Sequence, residues 1–285
     1  MGSEMCIRDS LYRMNFRGPR YFFHIHRLVL ATACLIWTGC ALVPHPATPV
    51  LPEQHLLEAG QLEIHSDFKL QQSHRLVTEL VAQRRDLANL LGVEPSDEPI
   101  HVFLFEKPAD YQQYMRNKHP DFPARRALFV KTDTQLKVYA SWHPRIGEDL
   151  RHEVTHGYLH SAVSDIPLWM DEGLAEFFET GRGKHGSHSA HIHLLKTRLK
   201  QGKWSPDIRR LETLDQAETM TQLDYAESWL WVHFLLFNPQ IRDQHLIQAH
   251  LIQLRKHGSA FGIADAIDEK FDSIESALIE HLKSL

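Results

Sequence analysis

In the segment Asp149-Leu-Arg-His-Glu-Val-Thr-His-Gly-Tyr-Leu-His160, His152 and His156 stand four positions apart with Glu153 beside the first. On an α-helix, residues four apart lie one above the other, so the two imidazoles can converge on one ion while Glu153 sits about 100° further round the axis. Leu150, Val154 and Tyr158 supply the apolar stripe that buries such a helix. With 21 histidines in 285 residues, a His-Glu-x-x-His pentapeptide arises by chance in roughly one chain in ten, so it needs independent support. That support is Pro167-Leu-Trp-Met-Asp-Glu-Gly-Leu-Ala-Glu-Phe-Phe-Glu179. A helix opening on proline, after a turn with Ser164 and Asp165, is expected to run antiparallel to the first. Catalytic zinc takes three protein ligands and keeps one position open, and Glu172, with fifteen residues between it and His156, is placed to be the third. Glu153 is then the base that activates water.

Glu176 follows Glu172 by one helical turn and is expected either to accept the free ring N–H of a ligand histidine or to be a solvated helix acid. Gly173 and Ala175 are small enough to let the two helices approach closely. The three cysteines, Cys6, Cys34 and Cys40, all fall in the first 40 residues. The rest of the chain therefore has neither disulfides nor thiolate metal sites, and any metal must be held by histidines and carboxylates. Acidic residues outnumber basic ones by 36 to 31, and the excess grows once residues 1–39 are set aside, which argues against nucleic acid as a partner.

These residues resemble the gluzincin metallopeptidases, whose His-Glu-x-x-His is followed by a helix carrying Asn/Asp-Glu-Gly-Phe/Leu-Ala with the glutamate as third ligand. The match runs residue by residue at His152, Glu153, His156 and Asp171 to Ala175. More narrowly, the two segments look like a bacterial peptidase-MA-like family, over residues 60 to 240. The resemblance implies one Zn²⁺ ion, a zincin-like active-site helix, and a peptide or protein substrate. It also implies an oxyanion donor downstream, for which Tyr225 is favoured and His233 is the alternative. The resemblance also implies a substrate-pairing edge strand just before the histidine helix, in the region of Leu136 to Ser141, with an exposed edge of no function as the alternative.

The opening Met-Gly-Ser-Glu-Met-Cys-Ile-Arg-Asp-Ser has no apolar period and reads, with the rest of residues 1–13, as a non-native extension. From Met14, a basic stretch with Arg17, Arg20 and Arg27 leads into an apolar run from Leu28 to Trp37 and then Gly39-Cys40. The run is shorter than the roughly 20 apolar residues of a bilayer-spanning helix, so residues 14–40 read as a cleaved signal peptide. Gly39-Cys40 resembles the end of a bacterial lipobox, with Trp37 where that motif usually has leucine. Cys40 is then the lipidated residue, and the protein is anchored to the outer membrane facing the periplasm. An ordinary signal peptide with a chance cysteine is the alternative. Pro44, Pro46, Pro49 and Pro52 mark residues 41–60 as a semi-extended tether.

The remaining residues, 61–285, read as one α+β domain with a small N-terminal mixed sheet followed by a mostly helical part. Strands are expected at Leu62 to Phe68, Ile100 to Phe105, Ala127 to Lys131 and Leu136 to Ser141, the last two as a hairpin. The nearly unbroken apolar run at Ile100 to Phe105 suits a strand buried on both faces. Helices are expected at 71–91, 108–117, 146–161, 167–180, 190–201, 224–237, 240–257 and 270–284. The loop from Gly181 to His193 carries His185, His188, His191 and His193 among glycines and serines, and reads as either a mobile polar loop or a second metal site. Arg125 and Arg126 are candidates for binding an acidic substrate terminus. The rival to a zinc peptidase is a non-catalytic envelope lipoprotein in which the same zinc cluster staples helices or scaffolds a partner.

Overall fold

The computed structural model describes residues 50–120, 122, 125–271 and 274–285. The expected extension, the expected signal segment with its lipidation at Cys40, and the expected tether as far as position 49 lie outside the described residues. Strands β1 (His55–Ala59), β2 (Leu62–Ser66), β3 (Ile100–Phe105), β4 (Ala127–Lys131) and β5 (Leu136–Ser141) form one mixed sheet in the order β1-β2-β3-β5-β4. β1 and β2 pair antiparallel, as do β4 and β5, while β3 runs parallel to both its neighbours. The fold is therefore α+β, with the sheet first and helices after it, as the sequence indicates.

The strand expected to reach Phe68 ends at Ser66, and the helices expected from 71 and 240 begin at Arg75 and Leu246; two further departures concern the sheet. The last residues of the Pro-rich stretch form β1, not tether, because Leu57 and Ala59 pair with Ile64 and Leu62 and turn apolar surface inward. β5 is an interior strand and β4 is the edge, which corrects the expected position of the edge strand. The hairpin folds back on the outer side of β5, since β5 already uses its other side to pair with β3.

The sheet is covered on both faces. Ile100, Val102 and Leu104 of β3 and Val138 and Ala140 of β5 face the main core with helices α1 (Arg75–Leu91) and α3 (Ile146–Ala162). Phe103, Phe105 and Tyr139 face the other way and pack on Tyr111 and Tyr114 of α2 (Pro108–Lys118). The unbroken apolar run of β3 is accounted for by this double burial.

The helical part continues with α4 (Leu168–Glu179), α5 (Ser189–Lys200), α6 (Ile208–Glu212), α7 (Gln222–Phe237), α8 (Leu246–His257), α9 (Ile263–Asp268) and α10 (Ile274–Ser284). α4 is sandwiched between α3 and α7, and α5 and α10 lie on α7. α6 and α9, of five and six residues, are too short to give a readable helical period. α7 is buried all round, from Trp229 and Trp231 to Phe234, and its first turn is closed by a capping box between Thr221 and Asp224. Among the described residues no helix is long and apolar enough to cross a membrane.

His233 of α7 sits in this core with its Nδ1 2.9 Å from His281 Nε2 on α10, among Phe177, Trp229 and Phe237. Burial, with the adjacent His281, pushes its pKa down to about 4, against a weaker upward pull from the backbone of His185. The ring is neutral in the folded chain and protonates near pH 6.5 in the unfolded one, so below that pH the unfolded state binds more protons. Stability from this source is complete above pH 6.5 and is lost as the pH falls toward 4, reaching about 2 to 3 kcal/mol at pH 4.5. Denaturant unfolding at pH 7 and pH 4.5 is expected to show a smaller acid loss in the double variant His233→Phe/His281→Leu than in wild type.

Candidate metal centre

The two helices that carry the site are fixed by their neighbours before any ion is considered. The side-chain amide of Gln83 on α1 donates to the Arg151 carbonyl at 2.7 Å, and the Tyr158 hydroxyl donates to the Leu80 carbonyl at 3.0 Å, which pins α3 on α1. Leu150, Val154 and Tyr158 are all buried, as the apolar stripe requires. α4 lies so close to α7 that a Cβ on Gly173 would stand 2.6 Å from the Ser228 carbonyl oxygen. Only glycine permits that approach, and it sets the depth of its neighbour Glu172. The Arg151 Nε donates to the Glu179 carbonyl at 2.7 Å, so the last turn of α4 is tied back to α3.

On this frame the two histidines and the glutamate meet. His152 Nε2 and His156 Nε2 are 3.2 Å apart, and Glu172 Oε2 lies 3.4 Å from the first and 3.7 Å from the second. An ion bound at zinc–nitrogen and zinc–oxygen distances makes a tetrahedron with edges of about 3.3 to 3.6 Å, which these separations match. All three residues are buried, at 1 % exposure or less. The buried histidines and glutamate can hold a metal ion.

The opposite edges of both rings are engaged by carboxylates. His156 Nδ1 is 3.0 Å from Asp171 Oδ2, and His152 Nδ1 is 3.4 Å from Glu179 Oε2. A proton on each Nδ1 facing its carboxylate leaves the Nε2 lone pairs facing each other and Glu172. Three acceptors pointed at one another in a buried space repel unless a cation or a shared proton lies between them. Burial alone would lower the pKa of His156, but the charges of Asp171 and Glu172 outweigh it and raise that pKa above the ordinary value. Asp171 is pulled the opposite way. Burial would raise it, yet His156 and His160 hold its carboxyl well below the usual carboxylate range.

Glu153 lies on the same helix with its Oε2 accepting the backbone N–H of Phe129 at 2.8 Å, and it is 3 % exposed. That hydrogen bond fixes the carboxylate against β4. In the β4–β5 ladder Ser141 donates to Arg126 and Thr132 to Gln135, so the main-chain groups of Ala127, Phe129 and Lys131 are directed away from β5, although Ala127 and Phe129 are buried.

Other candidates fall at different distances from the centre. Glu176 Oε1 is 3.9 Å from His152 Nδ1, beyond a hydrogen bond, while its Oε2 is 3.0 Å from His191 Nε2. The expected role of Glu176 beside a ligand histidine is therefore filled by Glu179 and Asp171. Glu179 extends one turn further, to where His152 turns its Nδ1. Asp171 is shared with His160, whose Nε2 is 3.1 Å away. The signal for these was present, since His160 repeats the four-residue spacing once more and Asp171 adjoins Glu172. Tyr225 is buried in a cluster with Leu168, Ala217 and Met220, on the helix packed against α4. His233 belongs to the α7–α10 contact instead. The Arg126 Nη2 donates to Asp149 Oδ1 at 2.7 Å, with His143 on the other carboxylate oxygen, and Arg125 is buried.

Compared with models of protein families the chain matches none, and no curated protein matches it significantly.

Replacing the carboxylate that holds a ligand histidine weakens metal binding by about 10- to 100-fold. Asp171→Asn is expected to fall in this range when zinc affinity is measured by competition with a chromogenic chelator. Unchanged affinity would confine Asp171 to a packing role.

Proposed function

We propose that the protein is a zinc-dependent peptidase in which His152, His156 and Glu172 hold one ion and Glu153 is the general base. The observation that carries this reading is the convergence of two imidazole Nε2 atoms and a carboxylate oxygen at 3.2, 3.4 and 3.7 Å, with the Glu153 carboxylate on the helix of the two histidines. Three protein donors leave one position for substrate or water, and the donor set of histidine and carboxylate suits zinc better than the all-oxygen cations. Bound zinc would lower the pKa of a water and polarise a carbonyl.

Within that reading, Glu153 takes the proton from the attacking water and passes it to the leaving amine. The Phe129 N–H holds the carboxylate in place. Of the outward-directed residues of β4, Ala127 and Phe129 are buried and the Phe129 N–H is held by Glu153, so an extended peptide would pair at Lys131, the partly exposed end of the strand. β4, and not β5, takes the part expected of the edge strand. Tyr225 is the proposed donor to the developing oxyanion. The N-terminal reading supports a lipid anchor at Cys40 and a peptide or protein substrate in the bacterial cell envelope.

One observation favours the rival, a non-catalytic envelope lipoprotein stapled by the same ion. All three ligands and Glu153 are 3 % exposed or less, as in a closed structural site. Glu153→Gln separates the two. Hydrolysis of a fluorogenic peptide library is expected to fall by at least about 100-fold with zinc content unchanged. A zinc-loaded wild type with no hydrolysis would support the staple instead. In the same assay, Tyr225→Phe is expected to lower turnover with zinc retained, and unchanged turnover removes Tyr225 from the mechanism.

A further inference from the structure

We propose that Glu176, His188 and His191, with Glu179 as a fourth donor, form a second site for a first-row divalent metal ion such as zinc. Glu176 Oε2 lies 3.0 Å from His191 Nε2 and 3.5 Å from His188 Nε2, and Glu179 Oε1 is 3.8 Å from His188 Nε2. These separations bracket the edges of a tetrahedron around one ion, about 3.3 to 3.6 Å. Two imidazoles beside carboxylates select a zinc-like ion over calcium or magnesium, which prefer oxygen alone.

The site is built, although it belongs to a segment whose composition suggests a mobile loop. Of its four histidines, His185 and His193 are exposed, whereas His188 and His191 turn inward and stack with ring centroids 3.7 Å apart. Two imidazolium cations would not stack so closely, so at least one ring is neutral and able to ligate. The indole N–H of Trp229 donates to the Gly186 carbonyl at 2.7 Å. Gly186 has φ +73°, and a Cβ there would stand 1.9 Å from the Phe177 ring, so the loop is seated on α4 at a position open only to glycine. The cluster borders a cavity of about 250 Å³ also lined by Glu148, Arg145 and Lys184, through which an ion and its water can enter. An ion would replace the hydrogen bond between His191 Nε2 and Glu176 Oε2, and also displace the 3.3 Å contact from the His191 backbone N–H to His188 Nδ1, since a ring that ligates through Nε2 carries its proton on Nδ1.

The two sites would be joined through α4. Glu179 faces His152 with one oxygen and His188 with the other, and Glu176 is likewise placed between His152 and His191. An ion in the second site would clamp the loop and α5 to the end of α4 and fix the carboxylate that orients His152.

This inference does not require the first site to be loaded, and metal stoichiometry separates the two. Untagged full-length protein is stripped with chelator, titrated with Zn²⁺, freed of weakly held metal by gel filtration, and its zinc is measured by mass spectrometry. Two equivalents are expected in wild type, one in His188→Gln/His191→Gln, and one in His152→Gln/His156→Gln. One equivalent in wild type that disappears in His188→Gln/His191→Gln would keep the second site and remove the first. An unchanged content in His188→Gln/His191→Gln, with the fold confirmed by circular dichroism, would overturn the second site. Should that double variant fail to fold, His188→Gln alone is expected to weaken the second equivalent at least tenfold, and unaltered affinity for both equivalents would overturn it equally.

Discussion

Two imidazole nitrogens and a carboxylate oxygen face one another across 3.2 to 3.7 Å in a buried space, and much of the molecule exists to hold them there. Each would be better solvated apart, so the arrangement persists only because the helices carrying it are held from outside. Gln83 and the Leu80 carbonyl fix α3 on α1, Gly173 lets α4 sink against α7, and Arg151 closes the far end of α4. The sheet is the floor of this arrangement. Its contribution to the site is the Phe129 N–H that holds Glu153.

The electrostatics are arranged in layers across α4. Asp171, Glu172, Glu176 and Glu179 lie along that helix, facing His152, His156 and His160 of α3, while Glu176 and Glu179 also reach the His188 and His191 pair at the start of α5. So many carboxylates on one buried helix would repel and desolvate one another badly without partners. Imidazoles are suited to the task because they can take up a proton or surrender it to a metal as the surroundings demand. The depressed pKa of Asp171 and the raised pKa of His156 are two views of the same contact.

The burial that makes this cluster strong also bears on what it does. Low dielectric magnifies the pull of the carboxylates on an ion, and a closed chamber excludes water that would weaken it. Catalysis requires in addition that a substrate reach the ion.

How much of this was legible beforehand follows from the range of the interactions involved. The four-residue spacing of His152 and His156, the proline-led helix with Glu172, the double burial of β3 and the hairpin of β4 and β5 are local patterns, repeated within one element or a single turn. Helical period and strand alternation therefore expose them in the sequence. β1 was hidden because its five residues sit at the end of a Pro-rich stretch and gain their structure only by pairing with β2. Which strand lies at the edge depends on how the hairpin folds beside β3, a choice no local pattern records. The same holds for Glu179 in place of Glu176 behind His152, and for the inward turn of His188 and His191. These were decided by tertiary packing, by Gly186 seated on Phe177 and by α4 pressed against α7, because contacts between elements fix distances that residue spacing along one helix leaves open.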